Sequence, residues 1–173
     1  LIPGARGDTS FTPKNGFTWD LADRKTRHNL YHDAVNAIDA ALARYPGSTV
    51  ATILWHQGET DVPLMDASVY QVKLDSTFGD LRRRYGSDLP IVLGQMNPEE
   101  MELSGKDYPP INAVHADTPN RLPRTAFVPG LRGCINGGVD RHYNAIGMRQ
   151  MGSDMWSAYR QLSAGDIEAY AAR

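Results

Sequence analysis

The apolar run Val50 to Trp55 breaks abruptly into His56, Gln57, Gly58, Glu59, Thr60 and Asp61. Much later in the chain, Asp140 and His142 are separated by Arg141 alone. A hydroxyl nucleophile needs a general base, best supplied by an imidazole that a carboxylate holds in one tautomer. If Arg141 is extended, residues 140 and 142 project to the same side and an Asp–His hydrogen bond is feasible. The same spacing also suits a histidine beside a helix start at Asn144, with Asp140 in a turn. Gln57 carries a side-chain amide N–H, a donor able to stabilise an oxyanion beside backbone N–H groups. Gly7 and Gly58 permit the close backbone approach this requires. Alternatively, Gln57 only satisfies loop backbone.

Glu59 and Asp61 sit two apart on one loop, too close to flank a glycosidic bond from opposite sides, and are read as loop braces. His56, Glu59 and Asp61 lack an HExxH motif or a second histidine cluster, so no metal is assigned. No cofactor is assigned either. Trp19 either walls a substrate site or anchors its long loop to the core. His56 and Gln95, which follow strand ends, are grouped with Trp19 as substrate-binding candidates. His28, His32 and His115 read as surface or helix-flank residues without a role. The single cysteine, Cys134, reads as a buried, inert thiol and leaves localisation open.

The elements that must position these groups follow from periodicity. Leu1–Ile2 read as the tail of a strand, followed by an irregular loop from Pro3 to Asp23. Residues 27–45 carry a helical stripe of Tyr31, Ala34, Val35, Ile38, Ala41, Leu42 and Tyr45, stopped by Pro46-Gly47. Val50–Trp55 reads as a central parallel strand buried on both faces. A second helix spans 66–85, with Asp66 at its N-cap and Tyr70, Leu74, Thr77, Phe78 and Leu81 facing inward. Ile91–Leu93 is a buried strand ending at Gly94-Gln95, followed by a loop containing Pro98. Pro109-Pro110 open a helix over 109–118, Thr125–Val128 is the last strand, and 129–141 is a glycine-rich loop. A final helix over 144–162 turns Met148, Met151, Met155, Tyr159 and Leu162 inward, leaving a loose tail. Strands alternating with amphipathic helices predict an α/β fold with a parallel sheet. In such sheets ligands bind outside the carboxyl ends of the strands, where Gly7, Gln57, Gln95 and His142 all fall.

The 173 residues, 41% hydrophobic and 22% charged, suit one globular domain with a substantial core. A formal net charge of −2 gives no electrostatic case for nucleic acid or an anionic membrane as partner. Arg82-Arg83-Arg84 reads as a solvated helix face. No apolar run approaches the ~20 residues of a membrane span.

Three blocks together resemble a known family. "WHQGETD" (55–61) resembles the W-[HY]-Q-G-E-[ST]-D block of the sialate O-acetylesterase-like carbohydrate esterases, a branch of the SGNH (GDSL-like) hydrolases. "IPGARGDTSF" (2–11) resembles their P-A-x-G-G-T-x-F block, with Asp8 where a second glycine is common. "VDRHYNAIGMRQMG" (139–152) resembles their last block, with one residue rather than two between Asp and His. The resemblance implies a three-layer flavodoxin-like fold and metal-free hydrolysis of acyl esters, typically acetyl groups on carbohydrate. It makes His142 the general base, Asp140 its orienting partner, and Gln57 with the Gly7 N–H the oxyanion hole. The family's G-Q-S-N or G-D-S nucleophile block has no counterpart here; "GDTS" (7–10) sits where the later glycine block belongs. The expectation is therefore a single SGNH-like domain, 1–173, lacking its N-terminal part. Its first strand and serine would come from an upstream segment or a second chain. A non-catalytic carbohydrate-binding or structural module on the same fold is the alternative.

Overall fold

The computed structural model describes residues 1–137 and 142–164. Three parallel strands, β3 (Ile53–Trp55), β4 (Ile91–Gly94) and β5 (Thr125–Val128), form a sheet in the order β3-β4-β5. A two-residue parallel pair, β1 (Phe17–Thr18) with β2 (His28–Asn29), lies ahead of the first helix. Five helices complete the described chain: α1 (Leu30–Arg44), α2 (Ala67–Tyr85), α3 (Pro98–Leu103), α4 (Pro109–Arg121) and α5 (Ala145–Leu162). This is the expected α/β fold with a parallel sheet.

Strand alternation divides the core between the two sheet faces. Ile91 and Leu93 join α2 and α4 residues such as Leu74, Phe78, Ile111 and Val114 in the larger cluster. Val92 and Val128 point the other way, onto Met151 and Met155 of α5. The predicted α2 stripe (Tyr70, Leu74, Thr77, Phe78 and Leu81) is wholly buried. Asp66 does occupy the N-cap position of α2, without a side-chain capping bond. Helix α1 begins where Asn29 accepts the His32 N–H, three residues later than periodicity placed it. At its other end Tyr45 is 62% exposed rather than inward.

Several expectations are corrected. Val50–Trp55 is not a central strand buried on both faces. Only Ile53–Trp55 is extended in a ladder, and among the described residues it pairs with β4 alone. Leu54, in register with Val92, is consequently 48% exposed on the α5 side of the sheet. Leu1 and Ile2 lie in no strand and are exposed. Met148 is 60% exposed; the inward stripe of α5 starts at Met151. The loop after β4 contains α3, started by Asn97, whose side chain accepts the Glu99 and Glu100 N–H groups. Arg82 is half-buried and donates to the Leu89, Pro123 and Arg124 carbonyls, while Arg83 and Arg84 pair with buried Asp80. Cys134 is half-buried, with a free thiol.

Candidate active site

Because β3, β4 and β5 are parallel, their carboxyl ends deliver His56-Gln57, Gln95 and Gly130 to one rim. Hydrogen bonds join these ends. Gln95 N–H donates to the Val128 carbonyl at 2.9 Å, and the Gly130 N–H donates to Gln95 Oε1 at 2.7 Å. His56 Nε2 lies 3.0 Å from the Gln95 main-chain oxygen, with Nδ1 4.0 Å from Glu59. The imidazole passes over Gly94, where a Cβ would stand 3.1 Å from its Cδ2 and 3.2 Å from the Met151 sulfur. A Cβ there would require these side chains to give by a few tenths of an ångström.

His142 reaches this rim through its backbone. Residues 134–136 and 142–144 form a short antiparallel contact: Ile135 bridges Tyr143, Asn136 N–H donates to the His142 carbonyl, and Asn144 N–H donates to the Cys134 carbonyl. The Asn144 side chain caps α5 by accepting the Ile146 and Gly147 N–H groups at 3.0 Å. Gly147 is required here, since a Cβ would approach the Cys134 carbonyl to 2.7 Å. The Tyr143 ring lies 6.1 Å from the His56 ring. His142 and Gln57 are thus sequence neighbours of two adjacent rings, tilted 58° to each other. The His142 side chain is exposed. Asp140 lies outside the described residues.

Gln57 belongs to a buried polar chain. Its Nε2 donates to Asp61 Oδ2 at 2.5 Å, and its Oε1 accepts the Tyr70 hydroxyl at 2.9 Å. Asp61, fully buried, also accepts the Phe11 N–H at 3.0 and 3.1 Å and the Thr12 N–H at 3.4 Å. One carboxylate therefore ties the Gln57 side chain to the backbone four residues beyond Gly7. Asp61 is the loop brace its spacing suggested. Burial raises its pKa above the ordinary value, opposed by the hydrogen bonds from Gln57, Phe11 and Thr12.

Sequence reasoning missed the far end of this chain. His115 is fully buried, not on a helix flank, and its Nε2 lies 2.7 Å from the Tyr70 hydroxyl. Burial, with smaller contributions from the His56 and Arg121 charges, lowers its pKa to about 3, so it is neutral. Burial likewise pushes the Tyr70 phenol well above its ordinary value. Gly58 admits both side chains: its φ is +135°, and a Cβ would lie 3.1 Å from His115 Cε1 and 3.3 Å from the Tyr70 hydroxyl. A signal was present, since His115 follows Val114 and Ile111 on the inner face of α4.

The first loop is pinned rather than open. Trp19 is 8% exposed, packs edge-on against Trp55, and donates Nε1–H to Thr9 at 3.0 Å. That is the anchoring one of its two predicted arrangements. Thr9 donates to the Arg6 carbonyl and fully buried Ser10 to the Thr12 carbonyl, so both hydroxyls beside Gly7 are engaged. Gly7 itself is exposed, with open space where a Cβ would be. Beyond Gln95, a cleft of about 360 Å³ is lined by Pro98, Met101, Asn112, Gly130 and Arg132. Among the described residues no group of three or more His, Cys, Asp or Glu could hold a metal ion, and no helix is long and apolar enough to cross a membrane.

Solved structures share this fold. The crystal structure of NanS superposes with a TM-score of 0.69 at 18% identity, over 97% of this chain and 64% of its own. A protein from Arabidopsis thaliana, determined at 1.6 Å, gives 0.65 at 21% identity, over 83% of this chain and 55% of its own. The chain thus spans less than two thirds of either neighbour. No curated protein matches it. A family model, described as carbohydrate esterase, sialic acid-specific acetylesterase, matches residues 1–161. With nearly the whole described length inside that match, the chain belongs to the sialic acid-specific acetylesterase family of carbohydrate esterases.

Proposed function

We propose that this chain is the larger part of a serine esterase that removes O-acetyl or other short acyl groups from carbohydrate. The observation that carries the reading is the Asp61 carboxylate, which holds the Gln57 amide and the Phe11–Thr12 backbone together. It couples the two loops whose N–H groups, from Gln57 and Gly7, would receive the oxyanion. A serine attacks the ester carbonyl while His142, oriented by Asp140, takes its proton. The tetrahedral oxyanion is held by the Gln57 and Gly7 N–H groups. His142 then protonates the leaving sugar hydroxyl, and water activated by the same imidazole releases the acid and restores the serine.

This reading takes the serine from outside these 173 residues; the hydroxyls nearest Gly7, on Thr9 and Ser10, are buried and donated to carbonyls. Among the described residues one edge of β3 has no partner, and this edge with the exposed Leu54 beside it supplies a place for a further strand, from the same protein or a second chain. A strand there would pair the open backbone groups of β3 and cover Leu54, adding stability as well as the nucleophile. Substrate would lie against His56 and Gln95, with the cleft beyond Gln95 taking the sugar, and Trp19 shaping the site from behind. The Asp61 tether favours this over a non-catalytic module, which would not require two N–H-bearing loops to be held in fixed relation.

The natural full-length protein should hydrolyse O-acetylated sialic acid and be labelled on one serine by a fluorophosphonate. His142→Ala should nearly abolish turnover. Neither hydrolysis nor labelling would leave the binding-module alternative standing, and full rate in the variant would remove His142 as base.

A further inference from the structure

Gln57 can serve an oxyanion only if its nitrogen, not its oxygen, is presented to the substrate. A carboxamide has nearly the same shape either way round, so something must choose. Resting on the esterase reading above, the hydrogen-bond directions around Gln57 supply that choice.

They can be worked out from one end. His115 is neutral and fully buried, and among the described residues its Nδ1 has no hydrogen-bond partner. A buried N–H without an acceptor is rarer and costlier than an acceptor left empty. The imidazole proton therefore sits on Nε2 and is donated to the Tyr70 oxygen, 2.7 Å away. The single Tyr70 proton is then available for Gln57 Oε1, 2.9 Å away. With its oxygen occupied, Gln57 turns Nε2 to Asp61. Asp61 is already an acceptor for Phe11 and Thr12. Each link in the chain donates to the next: His115 to Tyr70, Tyr70 to Gln57, Gln57 to Asp61. Reversing it would need a protonated Asp61, a flipped amide and an Nδ1–H stranded in the core. One Gln57 N–H is spent on Asp61, and the described residues give the second no partner.

We propose that Tyr70 and His115 are positioning residues for the reaction: they clamp the oxygen end of the Gln57 carboxamide while Asp61 clamps the nitrogen end, leaving one N–H aimed for the oxyanion. Nothing in the chain touches substrate beyond Gln57. Its effect must therefore appear in kcat and only through Gln57. The glycine at 58 fits this arrangement, since any side chain there would enter the space of both His115 and Tyr70.

A double-mutant cycle in the full-length protein tests this. Gln57→Ala should lower kcat by roughly 10²–10³, as loss of one oxyanion donor does. Tyr70→Phe keeps the ring and should lower kcat about tenfold, with KM within about twofold, because the amide is misplaced rather than absent. The Gln57→Ala/Tyr70→Phe double variant should be no slower than Gln57→Ala alone. A Tyr70→Phe kcat within twofold of wild type, or losses that multiply in the double variant, would overturn the proposal and leave Tyr70 a core residue. Full activity in Gln57→Ala would refute the oxyanion assignment itself, and this inference with it. Should Tyr70→Phe fail to fold with His115 N–H stranded, Tyr70→Phe/His115→Leu removes both buried polar partners and is run through the same cycle.

Discussion

Replacing Asp61 by alanine should loosen the first loop measurably. The carboxylate is fully buried and accepts the Phe11 N–H through both oxygens, at 3.0 and 3.1 Å. Phe11 is itself fully buried between Trp55 and Tyr70, so water cannot replace the lost acceptor without opening that packing. An orphaned buried donor costs about 1–3 kcal/mol. Thr12 adds little, because its N–H is 3.4 Å away and only part-buried. Gln57 is half-exposed and recovers a bond to water. Against these losses stands the cost of keeping an anion in the core, the reason Asp61 has a raised pKa. The net falls in the lower part of that range, about 1–2 kcal/mol, which for a domain of this size is a fall in Tm of about 2–8 °C. Because the folded pKa is raised, the wild-type side chain is most favourable below the ordinary value of 3.8 and loses that advantage as pH rises through the folded pKa. The gap between wild type and variant should therefore widen on acidification. Thermal melts at pH 7 and near pH 4, with hydrogen exchange at the Phe11 amide, read both effects. A Tm unchanged within 1 °C together with unaltered Phe11 protection would show that the tether does not hold the loop.

Two further perturbations probe the same chain. His115 is neutral in the fold with a pKa of about 3 against the ordinary 6.5, so its contribution is intact above pH 6.5 and lost as pH falls toward 3. The slope is about 1.4 kcal/mol per pH unit across that window. His115→Leu should flatten the acid limb of the stability profile, and a parallel limb in wild type and variant would show that His115 does not set it. Gly58→Ala forces a Cβ onto a residue at φ +135° and into His115, Met96 and Tyr70. Strain of about 1–3 kcal/mol should lower Tm and kcat together; an alanine variant with wild-type Tm would contradict the crowding.

How much of this could be read from the chain depended on the range over which each feature is decided. The α2 stripe and the strands Ile91–Gly94 and Thr125–Val128 were legible because periodicity and short apolar runs are local. The placing of Gln57 and Gln95 on one rim was legible because parallel strands put their carboxyl ends together whatever the loops do. The anchoring of Trp19 was only one of two open readings, since it depends on Thr9 and Trp55, which approach it through the tertiary fold. Val50–Trp55 was read as buried on both faces because an apolar run reports what a strand can bury, not which neighbours are there to bury it. Leu54 is apolar and yet 48% exposed for that reason.

His115 shows where reading a sequence residue by residue reaches its limit. The stripe of Ile111 and Val114 marks His115 as inward, but its partner Tyr70 lies 45 positions away. Its burial follows only once α2 and α4 are packed on the same sheet face, as their shared core cluster requires. From there the chemistry is forced in sequence. Burial keeps this imidazole neutral, a neutral imidazole must place its one proton, and that proton decides the direction of every hydrogen bond as far as Asp61. The "WHQGETD" segment supplies the last two members of the chain, Gln57 and Asp61, at a spacing of four. The first two come from helices that the segment does not contain. The orientation of a single amide at the rim is thus set by residues from three separate stretches of sequence, which is why the motif alone could name Gln57 but could not say which way it faces.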